Sequence, residues 1–418
     1  MDREPGDWRP QPFKYPSVAP WLDFDFENTL PPPYRPFRWG PNYNITMGIR
    51  SMDFDEWIQI DNRYAHYHAI RTHRTETGGT NVVRTLPRNI ESGVPGAELA
   101  ARELVNELGE FLIRRYPHIF RVVSRITHTP NDFSWDSLGE IEIIEIVPLG
   151  VRYNLQTEDS MKISGLLVQD DLAVMLEGKD SRYYFQAGSI CTPGFWRMRD
   201  KIGQPLERIH EGGRVPQYRE KLRDSMNRFF TRLRTNKPVT RNNYFFQIVR
   251  PDDDSARLGS IDGDELARMD MKIILTNLAT PQSPNSSRKA ILSNLGRLVQ
   301  TGLAESASAR NVKAFDGKYI FCPSDAKRQL YLNISLPRSG AIIFTIRTYI
   351  EPVTKLAEEP GVPGRIADAI RSWPPEVAEY KGQHLYADAL LCYLDEQHKE
   401  QVDRGIVLED QKDINYPF

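Results

Sequence analysis

The stretch GLLVQDDLAVMLEGKDSRYYFQAGSICTPGFWRMRDKIGQPLERIHEGGRVPQY, residues 165–218, decides the fold. A short mixed run, Leu166 to Gln169, precedes a carboxylate pair at Asp170 and Asp171. The apolar run Leu172–Leu176 then passes through a polar turn into Tyr183–Cys191, and Gly165–Leu176 and Tyr183–Cys191 both read as strands. Pro193–Gly194 breaks the chain, and a helix-like segment, Phe195 to Ile202, runs to Gly203. A loop carrying His210 follows. Strands, a turn, a short helix and a histidine loop predict a small α+β sheet wrapped over a flat ligand.

Working outward, Glu140–Val147 and the nearly continuously apolar Ala341–Ile350 read as further strands. Ala97–Tyr116 is the clearest helix, with apolar residues at 100, 104, 108, 111 and 112 and a stop at Pro117. Met52–Arg74 roughly follows helical spacing behind an N-cap at Asp53, with a break expected near Asp61–Asn62. Its histidines, His66, His68 and His73, do not share one helical face and are read as surface and boundary residues rather than metal ligands. Gln217–Arg234, Asp262–Leu278, Val362–Trp373 and Val377–Glu400 are predicted helices, and an acidic tail ends the chain. Residues 279–320 read as an insertion. Residues 1–45 carry ten prolines interleaved with Trp8, Trp21, Tyr34, Phe37 and Trp39. So much proline excludes helix and central strand, and the aromatics predict an extended arm strapped over a core.

A length of 418 residues allows two or three domains, or one large domain with appendages. The net charge of −2 gives no reason to expect nucleic acid or an anionic membrane as partner. The three cysteines, Cys191, Cys322 and Cys392, lie far apart, which argues against a disulfide framework or a cysteine-bound iron–sulfur cluster. The N-terminus lacks an apolar leader, and no apolar run approaches the ~20 residues of a membrane-spanning helix. The expectation is a soluble, cytoplasmic protein. GxxxxGK[ST], GxGxxG after a strand, GxSxG and HExxH are all absent. The acidic clusters at 252–254 and 262–265 lack calcium-loop spacing. Residue chemistry alone therefore names no reaction.

Seven ordered segments carry a resemblance. They are NITMGIRSMDFDEWIQID, the helix ending in RRYP, GLLVQDDLAVML, AGSICTPGFWRMRDKIGQPLERIH, VPQYREKLRDSMNRFFTRL, TRNNYFF and LPRSGAIIFTIRTYIEPV. Together they resemble the haem-dependent oxidative N-demethylase alpha-subunit-like family, from about residue 36 to 355. The resemblance implies an α+β fold, a PAS-like antiparallel sheet holding a b-type haem within a larger helical frame. The implied layout is an arm over 1–45, the family domain over 46–355 and a helical extension over 356–418. The PAS-like core would lie at about 139–350, carrying the 279–320 insertion. It further implies a haem-dependent oxidoreductase of monooxygenase type, which removes a methyl group from a small secondary or methylated amine using dioxygen. Electrons would come from a separate reductase bearing flavin and an iron–sulfur cluster; the chain has neither a dinucleotide fingerprint nor enough cysteines to carry them itself. Other readings are a non-catalytic haem-binding sensor with the same core, and a cofactor-free interaction scaffold. The sequence departs from the family at KRQLYLNISLPRSG, where ERQTLxRLP is expected and two extra residues separate Arg328 from Pro337; HEGGRVP is also longer than the expected HxPVP.

A haem iron takes an axial His, Cys, Met or Tyr. His210, beside Gly212–Gly213, is the first candidate for iron and haem binding, against a plain loop histidine. Cys191 is the thiolate alternative, against a small buried hydrophobe. Arg241 and Arg347 are candidates for the haem carboxylates. The competing assignment for each is an internal salt bridge to a framework carboxylate such as Asp170 or Asp171. Asn242, Asn243 and Tyr349 are candidates for the distal, catalytic side, although paired asparagines are as often turn formers. Tyr183, Tyr184, Tyr244 and Asp170 are candidates to receive a cationic amine, against simple core packing for the tyrosines.

Overall fold

The computed structural model describes residues 3–10, 13–31, 37, 40, 43, 45–126, 135, 138–193, 196–233, 235, 237–241, 243, 244, 246–248, 320–322, 328–348 and 351–408. The strands, in chain order, are β1 (Ile49–Ser51), β2 (Val83–Thr85), β3 (Phe120–Ile126), β4 (Glu140–Ile146), β5 (Val151–Asn154), β6 (Asp171–Glu177) and β7 (Tyr183–Ser189). β8 (Val239–Arg241), β9 (Gln247–Ile248), β10 (Ile320–Cys322), β11 (Arg328–Ser335), β12 (Ile342–Arg347) and β13 (Glu351–Pro352) follow. The helices are α1 (Tyr64–Gly78), α2 (Glu98–Arg115), α3 (Ser160–Leu167), α4 (Leu206–Gly212), α5 (Arg223–Thr231), α6 (Val353–Leu356), α7 (Val362–Arg371), α8 (Pro375–Tyr380) and α9 (Ala387–Asp403). Helices and antiparallel sheets together make the chain α+β.

The chain divides into two compact units. The first comprises 1–32, 46–242 and 328–347 and holds a seven-stranded antiparallel sheet in the order β1-β8-β11-β12-β6-β7-β2. Its middle strands are buried on both faces, which accounts for the unbroken apolar runs of β6 and β12. Alternation divides the side chains. Leu172, Val174, Leu176 and Ile343 join the main core with Leu104, Leu108 and Phe111 of α2 and Leu166 of α3. Ala173, Met175 and Phe344 therefore face the other way. A meander, β3-β4-β5, lies beside α2 in the same core. The second unit comprises 33–45, 243–327 and 348–418. It holds the small sheet β13-β10-β9 and a core in which α7 packs on α9 around Val362, Ile366, Ile370, Trp373 and Leu394.

Several sequence expectations change. Leu166–Leu167 end α3 rather than starting a strand; Asp159 caps that helix by accepting from the Lys162 amide at 2.8 Å. Phe195–Ile202 contains only a 3-10 turn at Met198–Asp200 among its described residues. His210 sits on α4, not in a loop. Val377–Glu400 is split into α8 and α9 at Gly382, which has φ +66. The expected break before α1 is present, with a 3-10 turn at Phe54–Glu56 and the helix starting at Tyr64. The 262–278 helix, the 279–320 insertion and most of the acidic tail lie outside the described residues.

Residues 3–10 and 13–31 belong to the first unit. Trp21 donates its amide to the Arg115 carbonyl at 2.7 Å, and Trp8 donates its indole N–H to the Pro337 carbonyl at 3.2 Å. Gly340, at φ +67, lies under the Trp8 ring, and a Cβ added there would come 2.2 Å from Cδ2. Gly340→Ala is therefore expected to destabilise by on the order of 2 kcal/mol, adding left-handed strain to displacement of Trp8. Limited proteolysis should cut the 3–31 arm several-fold faster; an unchanged digestion rate would refute the seat.

Candidate functional site

Between β7 and β8 the chain crosses the sheet face that carries Ala173, Met175 and Phe344. Phe230 of α5 stacks on Phe344 with centroids 5.6 Å apart, and Tyr183 donates to the Phe230 carbonyl at 3.4 Å. Gly188 on β7 lets Met198 close over the strand: a Cβ there would meet Met198 Sδ at 2.9 Å. The crossing segment is apolar toward the sheet, with Leu206, Tyr218, Leu222, Met226 and Phe230 buried.

The crossing segment is also where the backbone is least regular. A π-helical turn, Tyr218–Leu222, leads directly into α5. Arg214 and Gln217, both with φ near +50, sit between α4 and that turn. Left-handed non-glycine residues and π turns are costly and gather at functional sites. His210 and Tyr218 meet across this loop with rings 5.0 Å apart and nearly parallel.

The chemistry of His210 follows from one bond. Its Nδ1 lies 2.8 Å from the Leu206 carbonyl, which can only accept, so Nδ1 carries the proton. In the neutral ring Nε2 is then the nitrogen with the lone pair, the tautomer that a metal-ligating histidine adopts. The Tyr218 hydroxyl is buried and has no hydrogen-bond partner among the described residues. Burial, with Glu207 and Glu211 adding to it, raises its pKa, so it stays protonated as a donor.

The other sequence candidates lie elsewhere. Arg347 is buried on β12, bonded to Asp61 at 2.5 Å, 3.8 Å from Asp170 and over the Tyr67 ring. Asp61 is itself held by the Gln169 amide at 3.0 Å. Cys191 is fully buried, and burial pushes its thiol pKa up, which opposes a thiolate. Arg241 is half-buried on β8. Asn243 accepts from the Tyr244 amide, and Lys381 lies over the Tyr244 ring at 4.3 Å, all within the second unit. Tyr184 donates to Asp180 at 2.7 Å. Asn242 and Tyr349 lie outside the described residues. Among the described residues no group of three or more His, Cys, Asp and Glu side chains could hold a bare metal ion.

Sequence reasoning missed three features. Arg71 and Asp171 form a fully buried ion pair at 2.8 Å, joining residues a hundred positions apart. Lys201 lies over the Trp196 ring at 4.7 Å, and burial lowers its pKa to about 8. Tyr218 carried no signal beyond an aromatic in a helix.

A family model for the haem-dependent oxidative N-demethylase, alpha subunit-like, matches residues 48–300 and 333–391. The chain belongs to this family. The match covers about three quarters of the chain and includes the whole crossing segment with His210. It pauses over 301–332, where the departure in KRQLYLNISLPRSG begins, and it runs on through α6, α7 and α8. No helix among the described residues is long and apolar enough to cross a membrane.

The group named by this haem-dependent family can be tested against the side chains present. A haem asks for one axial donor, apolar surface for its faces and cations for its carboxylates. The donor chemistry of His210 fits, and the orphaned Tyr218 hydroxyl is a polar group in need of a partner. Apolar surface is present at the Phe230–Phe344 stack and where Met198 covers Gly188. Arg347 fits less well, because its guanidinium already pairs with a buried carboxylate.

Proposed function

We propose that this chain is a haem-dependent oxidoreductase that oxidatively demethylates a small secondary or methylated amine, with electrons delivered by a separate reductase. The observation that carries the reading is His210, inside the matched region, with Nδ1–H tied to a backbone carbonyl and Nε2 left as the basic nitrogen. The core strand order β7-β6-β12-β11-β8 supports a PAS-like core. Taken along the chain it is second, first, fifth, fourth, third, with the helical crossing inserted after the second. In that reading the residues of the crossing segment, His210 first, would hold the haem.

The b-type haem, when bound, supplies the redox chemistry that activates dioxygen. His210 would hold it through Nε2, and the Leu206 carbonyl fixes the ring against rotation. Tyr218 braces the imidazole by stacking, and its protonated hydroxyl can donate a hydrogen bond or a proton within the site. Phe230 and Phe344 exclude water from the sheet side. Arg241 would be the partner for a haem carboxylate, and Arg347 the weaker candidate because it is paired with Asp61. The cytoplasm is the proposed compartment.

The test is an absorption spectrum of protein expressed with a haem precursor. The expected result is a Soret band at one haem per chain, lost or shifted in His210→Ala. In Tyr218→Phe the band persists while amine turnover with a suitable reductase falls about tenfold or more. A wild-type protein without stoichiometric haem would overturn the reading, and a band indifferent to His210→Ala would overturn His210 as the ligand.

A further inference from the structure

The face of α4 opposite Leu206 and His210 borders a separate concavity of about 630 Å³. That is within the roughly 300–1,000 Å³ of small-molecule sites. Arg182, from the β6–β7 turn, Arg208 of α4, and Arg223 and Arg228 of α5 surround it, with Glu207 and Asn227. Arg208 and Arg228 are exposed, and no ion pair or hydrogen bond engages either guanidinium among the described residues. The acids of the rim are engaged elsewhere. Glu211 accepts from Arg219 at 2.8 and 3.1 Å, and Asp180 accepts from Tyr184 at 2.7 Å.

Glu207 is the exception. Its Oε1 accepts from the Asn227 amide at 3.0 Å, while Oε2 is buried with no partner. An unsatisfied buried carboxylate oxygen costs about 1–3 kcal/mol, more for a charged group, so the arrangement calls for a donor. The concavity thus pairs two uncommitted guanidiniums with one orphaned acceptor. Its lining contains Pro205 but no aromatic ring, so a flat base would find nothing to stack on.

From this we infer that the concavity binds a hydroxyl-bearing organic phosphate, a sugar phosphate in chemical class. The phosphate sits on Arg208 and Arg228, and a hydroxyl donates to Glu207 Oε2. Guanidinium groups match phosphate oxygens in geometry and charge. The inference does not depend on haem, because the site lies on the other face of α4.

The test is calorimetric titration of the full chain, in phosphate-free low-salt buffer, with glucose 6-phosphate, inorganic phosphate, glucose and ADP. Glucose 6-phosphate is expected to bind saturably at one site, at least about tenfold tighter than inorganic phosphate, with no heat from glucose. Arg208→Ala with Arg228→Ala should weaken both anions by about 100-fold, since each charge-assisted contact contributes about tenfold. Glu207→Gln keeps an acceptor for Asn227 but places an amide N–H₂ where Oε2 was. It should cost glucose 6-phosphate about tenfold and leave inorganic phosphate unchanged. Circular dichroism should be unaltered in these variants. Absence of saturable binding, or wild-type affinity in the double arginine variant, overturns the site. Tighter binding of ADP, or equal affinity for phosphate and glucose 6-phosphate, overturns the sugar-phosphate assignment.

Discussion

Asp171→Ala is expected to destabilise the protein by about 3–5 kcal/mol, as for other buried ion pairs that lose one partner. Neither side chain of the Arg71–Asp171 pair reaches solvent. Asp171 accepts from Arg71 Nη1 at 2.8 Å, from the Cys191 amide at 2.7 Å and from the Thr192 amide at 3.0 Å. Arg71 also donates Nε to the Gly165 carbonyl. One carboxylate therefore fastens α1, α3 and the end of β7 together at the first residue of β6. Removing it strands a guanidinium in an apolar interior and leaves two amides unpaired. Closure around the pair depends on Gly165, where a Cβ would come 2.0 Å from Ser189 Oγ, so little water can enter to solvate the stranded charge. Urea unfolding followed by circular dichroism should show the midpoint fall at unchanged slope. Arg71→Met with Asp171→Leu should recover part of the loss, because it removes the stranded charge but leaves the Cys191 and Thr192 amides without their acceptor. A loss under about 1 kcal/mol in the single variant would contradict the account.

This pair also marks where sequence reasoning stops. The apolar periodicity of α2 and the buried runs of β7 and β12 were legible, because each burial pattern is local. Leu166–Gln169 was misread because a short apolar run looks the same at the end of a buried helix as at the start of a strand. The cap at Asp159, six residues upstream of Gly165, would have separated them. Asp170–Asp171 was legible as a carboxylate pair, with Arg347 as one possible ion-pair partner, but Arg71 comes from α1 and only the fold brings it to Asp171. His210 was legible as a candidate from its segment. Its tautomer and its stacking on Tyr218 required the helix, since the Leu206 carbonyl is reached only at i−4. Glu103, Glu107 and Glu110 of α2 are all buried, which the apolar spacing of the helix does not show. Tyr15, which covers Glu107, comes from the proline-rich arm.

That arm gives the last expectation, which is that Glu107→Gln removes a pH-dependent loss of stability present in the wild type. Tyr15 donates to Glu107 Oε1 at 2.5 Å, and Trp135 donates to Oε2 at 2.7 Å while stacking on Tyr15 at 4.4 Å. Burial raises the Glu107 pKa from 4.5 to about 8, and neighbouring Glu103 adds to the rise against the opposing hydrogen bonds. A carboxyl whose folded pKa is raised binds more protons when folded than unfolded between those two values. Its contribution is therefore complete below about pH 4.5 and is lost as pH rises through about 8. Glutamine is isosteric and cannot ionise, and it can still accept from Trp135 Nε1 while donating to the Tyr15 hydroxyl. The stability difference, wild type minus Glu107→Gln, should fall by on the order of 4 kcal/mol between pH 5 and 9, about three pKa units at about 1.4 kcal/mol each. Urea midpoints at pH 5, 7 and 9 read this difference and cancel the titrations the two proteins share. Proteolysis of the 13–31 segment should accelerate at pH 9 in the wild type and not in the variant. A difference that stays flat from pH 5 to 9 would show that Glu107 has the same pKa folded and unfolded, and would overturn the account.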